Sequence, residues 1–256
     1  MQSFTSTAPS ASARPMAFER WAKPSELFQV HLKESLALLE QVAKELTPIK
    51  QASSLGAEDV VITHMIESLG LSIPVFVLET GALHHPTLAL LERTQAHSTL
   101  PIEVYRPAHE DVIHFVKEKG QGAIYKSIED RKACCDLRKL KPLAKALTGQ
   151  RAWITGLRRE QSSARSDVGL IDDSELKTKG WTKVNPLVNW TWSDVWHYIE
   201  LHQVDYNPLH DEFYPSIGCA PCTRAISLGE EFRAGRWWWE DESAKECGLH
   251  VSKAST

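Results

Sequence analysis

Five cysteines stand out in this chain: Cys134 and Cys135 in tandem at the start of a helical segment, Cys219 and Cys222 with two residues between them, and Cys247 near the end. The Cys219-Ala-Pro-Cys222 spacing suits a metal chelate, and it also suits a redox disulfide. A disulfide there leaves the tandem pair unexplained, and two separate pairs argue against small buried hydrophobes. Four thiolates suit zinc or an iron–sulfur cluster. The tandem pair favours the cluster, because neighbouring thiolates converge poorly on one ion but can each take a separate iron of a cube. Arg131, Lys132, Arg138 and Lys139 flank the tandem pair and can offset negative charge there. On a solvated helix face the same residues would do nothing.

Cys247 lies in the polar run Lys245-Glu-Cys-Gly-Leu-His250. Nearby cations lower a thiol's pKa, and here Lys245 and His250 are in place to do so, while Gly248 gives local freedom. A thiolate on a mobile tail can visit a site and then meet a partner; an incidental exposed cysteine has the same local sequence. Upstream, Arg233 and Arg236 are three apart, which shares a face if the segment is helical. Guanidinium pairs bind phosphate or sulfate. The three tryptophans at 237–239 read as packing.

These residues need a scaffold. Apolar runs alternate with helical patterns: a helix over 31–46, a strand over 49–55, a helix over 60–69, a strand over 73–78 and a helix over 86–95. A strand over Ile102–Tyr105, helices over 110–118 and 137–147, and a strand over 152–155 continue the series. That alternation predicts an α/β fold, a doubly wound and mainly parallel sheet, whose ligands sit at the carboxyl ends of the strands. Thr191 is placed to cap a helix with Trp192, Val195, Trp196 and Ile199 on its apolar face. Residues 207–224, rich in proline, read as loop. Residues past Gly156 read as an appendage to the sheet, with 17–239 as one domain and 240–256 as a mobile tail.

Two strand exits carry ligand-binding character. The first strand runs into Ser53, Ser54 and Gly56 at a helix start, where backbone and hydroxyl donors favour a phosphate. A plain turn with a capping serine looks the same, and no Walker ending is present. The second exit, Leu78-Glu-Thr-Gly81, lies at the same sheet edge, where Gly81 can admit a base or sugar.

Composition sets limits. The chain has 256 residues, 42% hydrophobic and 24% charged, which is ordinary globular composition. A net charge of -4 provides no global field for nucleic acid. No apolar run reaches membrane-span length. Residues 1–16 read as a flexible tail; free of acids and carrying Arg14, they also have a transit-peptide composition. An odd cysteine count without an export signal points to a reducing, cytoplasmic setting.

Taken in order, SSLGAED (53–59), LETG (78–81), RKACCDLRKLKPL (131–143), TGLRREQS (155–162), NPL (185–187), GCAPCTRA (218–225), RAGRWWWE (233–240) and KECGLH (245–250) resemble the assimilatory sulfonucleotide reductases. The likeness is strongest to the cluster-containing adenylyl-sulfate (APS) reductases. The family more often reads Leu-Asp-Thr-Gly where this chain has Glu79. The resemblance implies an adenine-nucleotide α-hydrolase-like fold and one 4Fe–4S cluster on Cys134, Cys135, Cys219 and Cys222. It implies Cys247 as nucleophile. Substrate contacts are implied for Ser53, Ser54, Gly56, Ala57, Glu58, Leu78, Gly81, Arg158, Arg165, Arg233, Arg236 and His250, with Lys139 bridging cluster and substrate. The implied reaction is thioredoxin-dependent reduction of adenosine 5′-phosphosulfate to sulfite and AMP, with homo-oligomerisation left open. The rivals are a phosphoadenylyl-sulfate (PAPS) reductase, an adenylating ATP pyrophosphatase, and a cluster sensor or zinc-stabilised binding module.

Overall fold

The computed structural model describes residues 15–162 and 165–241. Helices α1 (Ala17–Trp21) and α2 (Phe28–Glu45) precede strand β1 (Ile49–Ser53). Then follow α3 (Ala57–Ser68), β2 (Val75–Leu78), α4 (His85–His97), β3 (Ile102–Tyr105), α5 (His109–Lys119) and α6 (Ile128–Cys135). A π-helical turn, Asp136–Leu140, leads into α7 (Lys141–Ala146), β4 (Ala152–Ile154) and β5 (Ile171–Asp172). The described part closes with α8 (Leu176–Lys179), β6 (Thr182–Val184), α9 (Trp192–His202) and short 3-10 turns.

The sheet order is β3-β2-β1-β4-β6-β5, parallel except for β5. β1 lies between β2 and β4, with Gln51 opposite both Val75 and Ile154. Strand order therefore reverses beside β1, the switch point at which doubly wound sheets open a crevice. The expected fold class is the one observed.

Apolar side chains cover both faces. Leu39 and Val42 of α2, Ile62 and Met65 of α3, and Val195, Trp196 and Ile199 of α9 are buried in one core. Leu143 and Leu147 pack with Phe76 and Trp153 in a second. Each such side chain contributes roughly 1.5–3 kcal/mol on burial. Gln51 is fully buried in the central strand, and its amide donates to the Asp59 carbonyl and accepts from Thr63. These bonds fix α3 against β1, and so the loop between them.

Three expectations change. The stretch after Gly156 is part of the sheet, because β6 pairs with β4, Ile154 opposite Val184. These strands are too short for alternation to show, and β6 buries Lys183, whose charge meets Glu175 at 3.2 Å. Secondly, Cys134 and Cys135 end helix α6 instead of opening a helix, and the π turn separates them from α7. Glu240, in the segment expected to be mobile, is held in a buried ion pair with Arg131 at 2.6 Å. Among the described residues no helix is long and apolar enough to cross a membrane.

The expected Thr191 cap forms, accepting from the Asp194 main chain at 3.0 Å. Asp194 is fully buried; it accepts from the Thr191 amide and from both the amide and hydroxyl of Ser25. Asp194→Ala strands these donors and is expected to cost about 2–4 kcal/mol, read as a lowered denaturant midpoint with an unchanged slope.

Candidate active site

A cleft of about 210 Å³ opens at the carboxyl edge of β1, β2 and β4. Its floor and one wall come from the strand exits: Ser53, Ser54, Gly56, Glu58 and Asp59 after β1, Leu78 and Thr80 after β2, and Thr155 and Gly156 after β4. Arg165, Lys139, Arg233 and Arg236 bring cations to it from three separate segments.

The β1 loop is held by its own polar groups. Asp59 accepts from the Ser54 amide at 2.7 Å and hydroxyl at 2.6 Å, and Ser53 accepts from the Leu55 amide at 3.1 Å. The left-handed residue is Leu55, with φ of 60°, whereas Gly56 has an ordinary φ of -78°. The strain that a glycine would relieve therefore falls on a buried leucine, at a cost on the order of 1–2 kcal/mol. The more demanding glycine is Gly156: a Cβ there would stand 2.4 Å from Asp59 Oδ1 and 2.8 Å from Glu58 Cβ. Only glycine lets the exit of β4 close on the β1 loop.

Glu58 is fixed from behind. Its Oε1 accepts from Arg158 at 2.9 Å and Gln161 at 2.9 Å. Arg158 has no exposed surface and also meets Glu160, so it holds the acidic wall without lining the cleft. Ala57 and Gly81 also lie outside the lining. Ala57 is buried as the first residue of α3, while Gly81, with φ of 68°, turns the chain beneath Arg138. Arg165 lines the cleft, and its guanidinium donates to Gln161.

Arg233 and Arg236 both line the cleft, but a tight turn brings them there, not a helix: the Arg236 amide donates to the Arg233 carbonyl at 2.8 Å. Arg236 stacks on Trp237 at 4.7 Å and donates to the Ile217 carbonyl at 3.2 Å. Gly218 makes that path open, since a Cβ would lie 2.5 Å from the guanidinium. Of the three tryptophans, Trp237 is buried and Trp238 is exposed, so packing accounts for the first but not the second.

Behind the basic wall, Cys219 and Cys222 share an apolar cluster with Trp237 and Ile124, and Cys134 and Cys135 pack against it. Among the described residues, Cys134, Cys135, Cys219 and Cys222 form no disulfide. Cys219 Sγ lies 3.2 Å from the Thr80 hydroxyl, and the Thr80 carbonyl accepts from Arg138 at 2.5 Å. Burial pushes the Cys222 thiol up to about 11; the neighbouring Cys219 adds to this, while Lys139 and Arg236 oppose it. Burial also raises Cys134, against Arg138 and Lys139. Lys139 thus acts on both cysteine pairs and lines the cleft. Among the described residues no group of three or more His, Cys, Asp or Glu is arranged to hold a single ion. Cys247 and His250 lie outside the described residues.

Thr80, Gly156, Gln161, Asp59 and His210 belong to the site without having been singled out for it. Gly156 and Gln161 fall in the TGLRREQS run and Asp59 in SSLGAED, but their roles depend on contacts across the sheet edge.

A parallel doubly wound sheet with a switch-point cleft, phosphate-type loop and converging cations defines a nucleotide-binding α/β protein of the anion-handling kind. The phosphoadenosine phosphosulfate reductase domain model matches residues 48–225, and the chain belongs to that family. It is 48% identical to an adenosine 5′-phosphosulfate reductase of Burkholderia cepacia over 84% of this chain and 86% of that protein. It is 49% identical to one of Allochromatium vinosum, over 84% of each. A crystal structure of a Candida auris phosphoadenylyl-sulfate reductase, a phosphate complex, superposes with a TM-score of 0.63 at 25% identity, over 78% of this chain and 94% of that one.

Two tests follow from the loop geometry. Gly156→Ala should displace the β1 loop and abolish nucleotide binding measured by calorimetry, with the far-ultraviolet circular dichroism of the sheet retained. Burial, reinforced by Glu58 and opposed by Ser54, pushes the Asp59 carboxyl up to about 6 from 3.8. The folded state therefore holds this proton more tightly than the unfolded chain does. That contribution is full below about pH 4 and is lost as pH rises through 6. Between pH 5 and 8, wild type should lose about 1–1.5 kcal/mol relative to Asp59→Asn, read from denaturant midpoints of the two proteins.

Proposed function

We propose that the chain reduces adenosine 5′-phosphosulfate to sulfite and AMP, with Cys247 as the covalent carrier and a thioredoxin as electron donor. The observation that carries this reading is the cleft itself, in which a nucleotide-type loop faces Lys139, Arg233 and Arg236 across a space. Relatives at nearly half identity that carry this activity in their names support the substrate.

The nucleotide lies over the β1 and β2 exits, and its phosphosulfate points to the cations. The Cys247 thiolate attacks the sulfate sulfur. The S–O bond to the phosphate breaks, and AMP leaves with that electron pair. Lys139, Arg233 and Arg236 offset the charge that builds on the phosphate and sulfate oxygens. Cys247 now carries a thiosulfonate. A donor thiolate attacks the Cys247 sulfur and releases sulfite with the bonding pair, and the second donor thiol closes a donor disulfide. The sulfur gains two electrons and the dithiol loses them. Splitting the reduction into two displacements is covalent catalysis.

The donor set behind the cleft fits a 4Fe–4S cluster: four thiols outside any described disulfide, gathered at one apolar cluster, with Arg131, Arg138 and Lys139 on the same helical run as the tandem pair. Cys134, Cys135, Cys219 and Cys222 would hold it. When bound, such a cluster supplies structural closure and a local electrostatic field next to Lys139.

Incubated with adenosine 5′-phosphosulfate and no reductant, the protein should gain one sulfonate-sized mass. Cys247→Ser should lose the adduct and keep its iron. An adduct that persists in that variant would sink the assignment of Cys247. Sulfite formation from the 3′-phosphorylated nucleotide alone would move the chain to the PAPS-reducing class.

A further inference from the structure

Arg131 makes a buried ion pair that the chemistry described so far does not use. Its Nε and Nη2 donate to the two carboxylate oxygens of Glu240 at 2.9 Å and 2.6 Å. The two side chains are 1% and 3% exposed. The same guanidinium lies over the Trp237 ring at 4.7 Å, and Cys135, one helical turn further along α6, is another of its partners. Arg236, a cation of the cleft, stacks on that same ring at 4.7 Å. One indole thus touches both a cleft cation and the ion pair.

The turn that carries Glu240 is held along its length. The Trp237 amide donates to the Cys222 carbonyl at 3.2 Å, and the Glu240 amide to the Trp237 carbonyl at 2.8 Å. Trp237 takes a left-handed φ of 42°, which a bulky side chain adopts only where its surroundings fix it. Trp239 packs against the apolar cluster of Cys219 and Cys222.

Sealing two charges from water is costly, and an apolar pair of the same volume often stabilises a fold as well or better. What a buried two-pronged pair does supply is a single fixed arrangement of the groups it joins. Here it joins α6, which bears Cys134 and Cys135, to the segment that runs on to Cys247. Cys247 stands seven residues past Glu240. Seven residues span at most about 25 Å, so a fixed Glu240 confines that thiol to a sphere of this radius. The anchor at its centre is one indole ring removed from Arg236.

We propose that Glu240, gripped by Arg131, is a positioning residue for the first displacement: it fixes the root of the segment bearing Cys247 beside the cations of the cleft. This rests on the role given to Cys247 above. Glu240 lies outside the cleft lining, so it acts through Cys247 and not on the nucleotide. Its loss lowers the effective concentration and the aim of the thiolate, while nucleotide binding stays.

The test is single-turnover formation of the Cys247 thiosulfonate, followed by mass on anaerobically purified full chain with adenosine 5′-phosphosulfate and no reductant. Glu240→Gln should slow the saturated rate roughly tenfold, with the half-saturating nucleotide concentration and the iron per chain of wild type. Glu240→Asp keeps the charge but falls one methylene short of the two-pronged grip. It should lie between the glutamine variant and wild type, and it carries the test alone where the glutamine variant fails to fold. A wild-type rate in Glu240→Gln, or in Glu240→Asp where it alone folds, overturns the proposal. So does a slowed rate that comes with lost iron or weaker nucleotide binding, which marks a general packing role. Wild type that forms no adduct on Cys247 overturns the function proposed above, and the positioning role with it.

Discussion

Thr80 is the residue on which the two halves of the site meet. It is 1% exposed and follows directly on the exit of β2. Its hydroxyl touches the Cys219 sulfur at 3.2 Å, and its carbonyl takes the Arg138 guanidinium at 2.5 Å. The next residues continue the join: Leu83 bridges Cys219, and the Ala220 amide donates to the Ala82 carbonyl at 2.7 Å. One strand exit thus fixes the second cysteine pair by backbone bonds and the run bearing the first pair through Arg138. A buried polar residue tolerates neither loss nor shift of its partners, so the nucleotide floor and the thiol pocket move as one body.

Charge is divided by the same geometry. Glu58 and Asp59 stand on the wall built from β1 and α3, backed by Arg158 and Gln161. Lys139, Arg165, Arg233 and Arg236 line the same cleft, Lys139 and Arg236 within electrostatic reach of the buried Cys222 thiol. The π turn matters here, because its wider winding carries Lys139 from the end of a cysteine-bearing helix into the cleft. Burial raises both the Asp59 carboxyl and the Cys222 thiol: desolvation outweighs the hydrogen bonds from Ser54 and Gly156 at the first, and the cations Lys139 and Arg236 at the second.

Much of this was legible in the sequence, and for physical reasons. Parallel strands and their helices carry periodic signals, so β1 to β4 and the Thr191-capped helix could be read directly. Cysteine spacing brought out the two pairs, and the Arg233–Arg236 spacing brought out two residues that line the cleft, even though a turn, not a helix, brings them together. What stayed hidden depends on contacts between distant segments. Gly156 looks like any turn glycine until Asp59 is seen 2.4 Å from its missing Cβ. His210 sits in a proline-rich loop whose burial against Trp192 and Trp196 no local pattern announces. Arg158, read as a ligand contact, is an internal support because two carboxylates claim it. β6 escaped notice because a buried lysine interrupts a three-residue strand.

On the proposed function, nucleotide cleft and thiol pocket act as one catalytic site. The direct measurement is the visible spectrum of anaerobically purified protein, titrated with adenosine 5′-phosphosulfate. The expected result is thiolate–iron absorbance near roughly 400 nm that changes saturably, with a midpoint matching the half-saturation of sulfite release. Absorbance unaffected by the nucleotide, or a colourless protein that still releases sulfite, would contradict it.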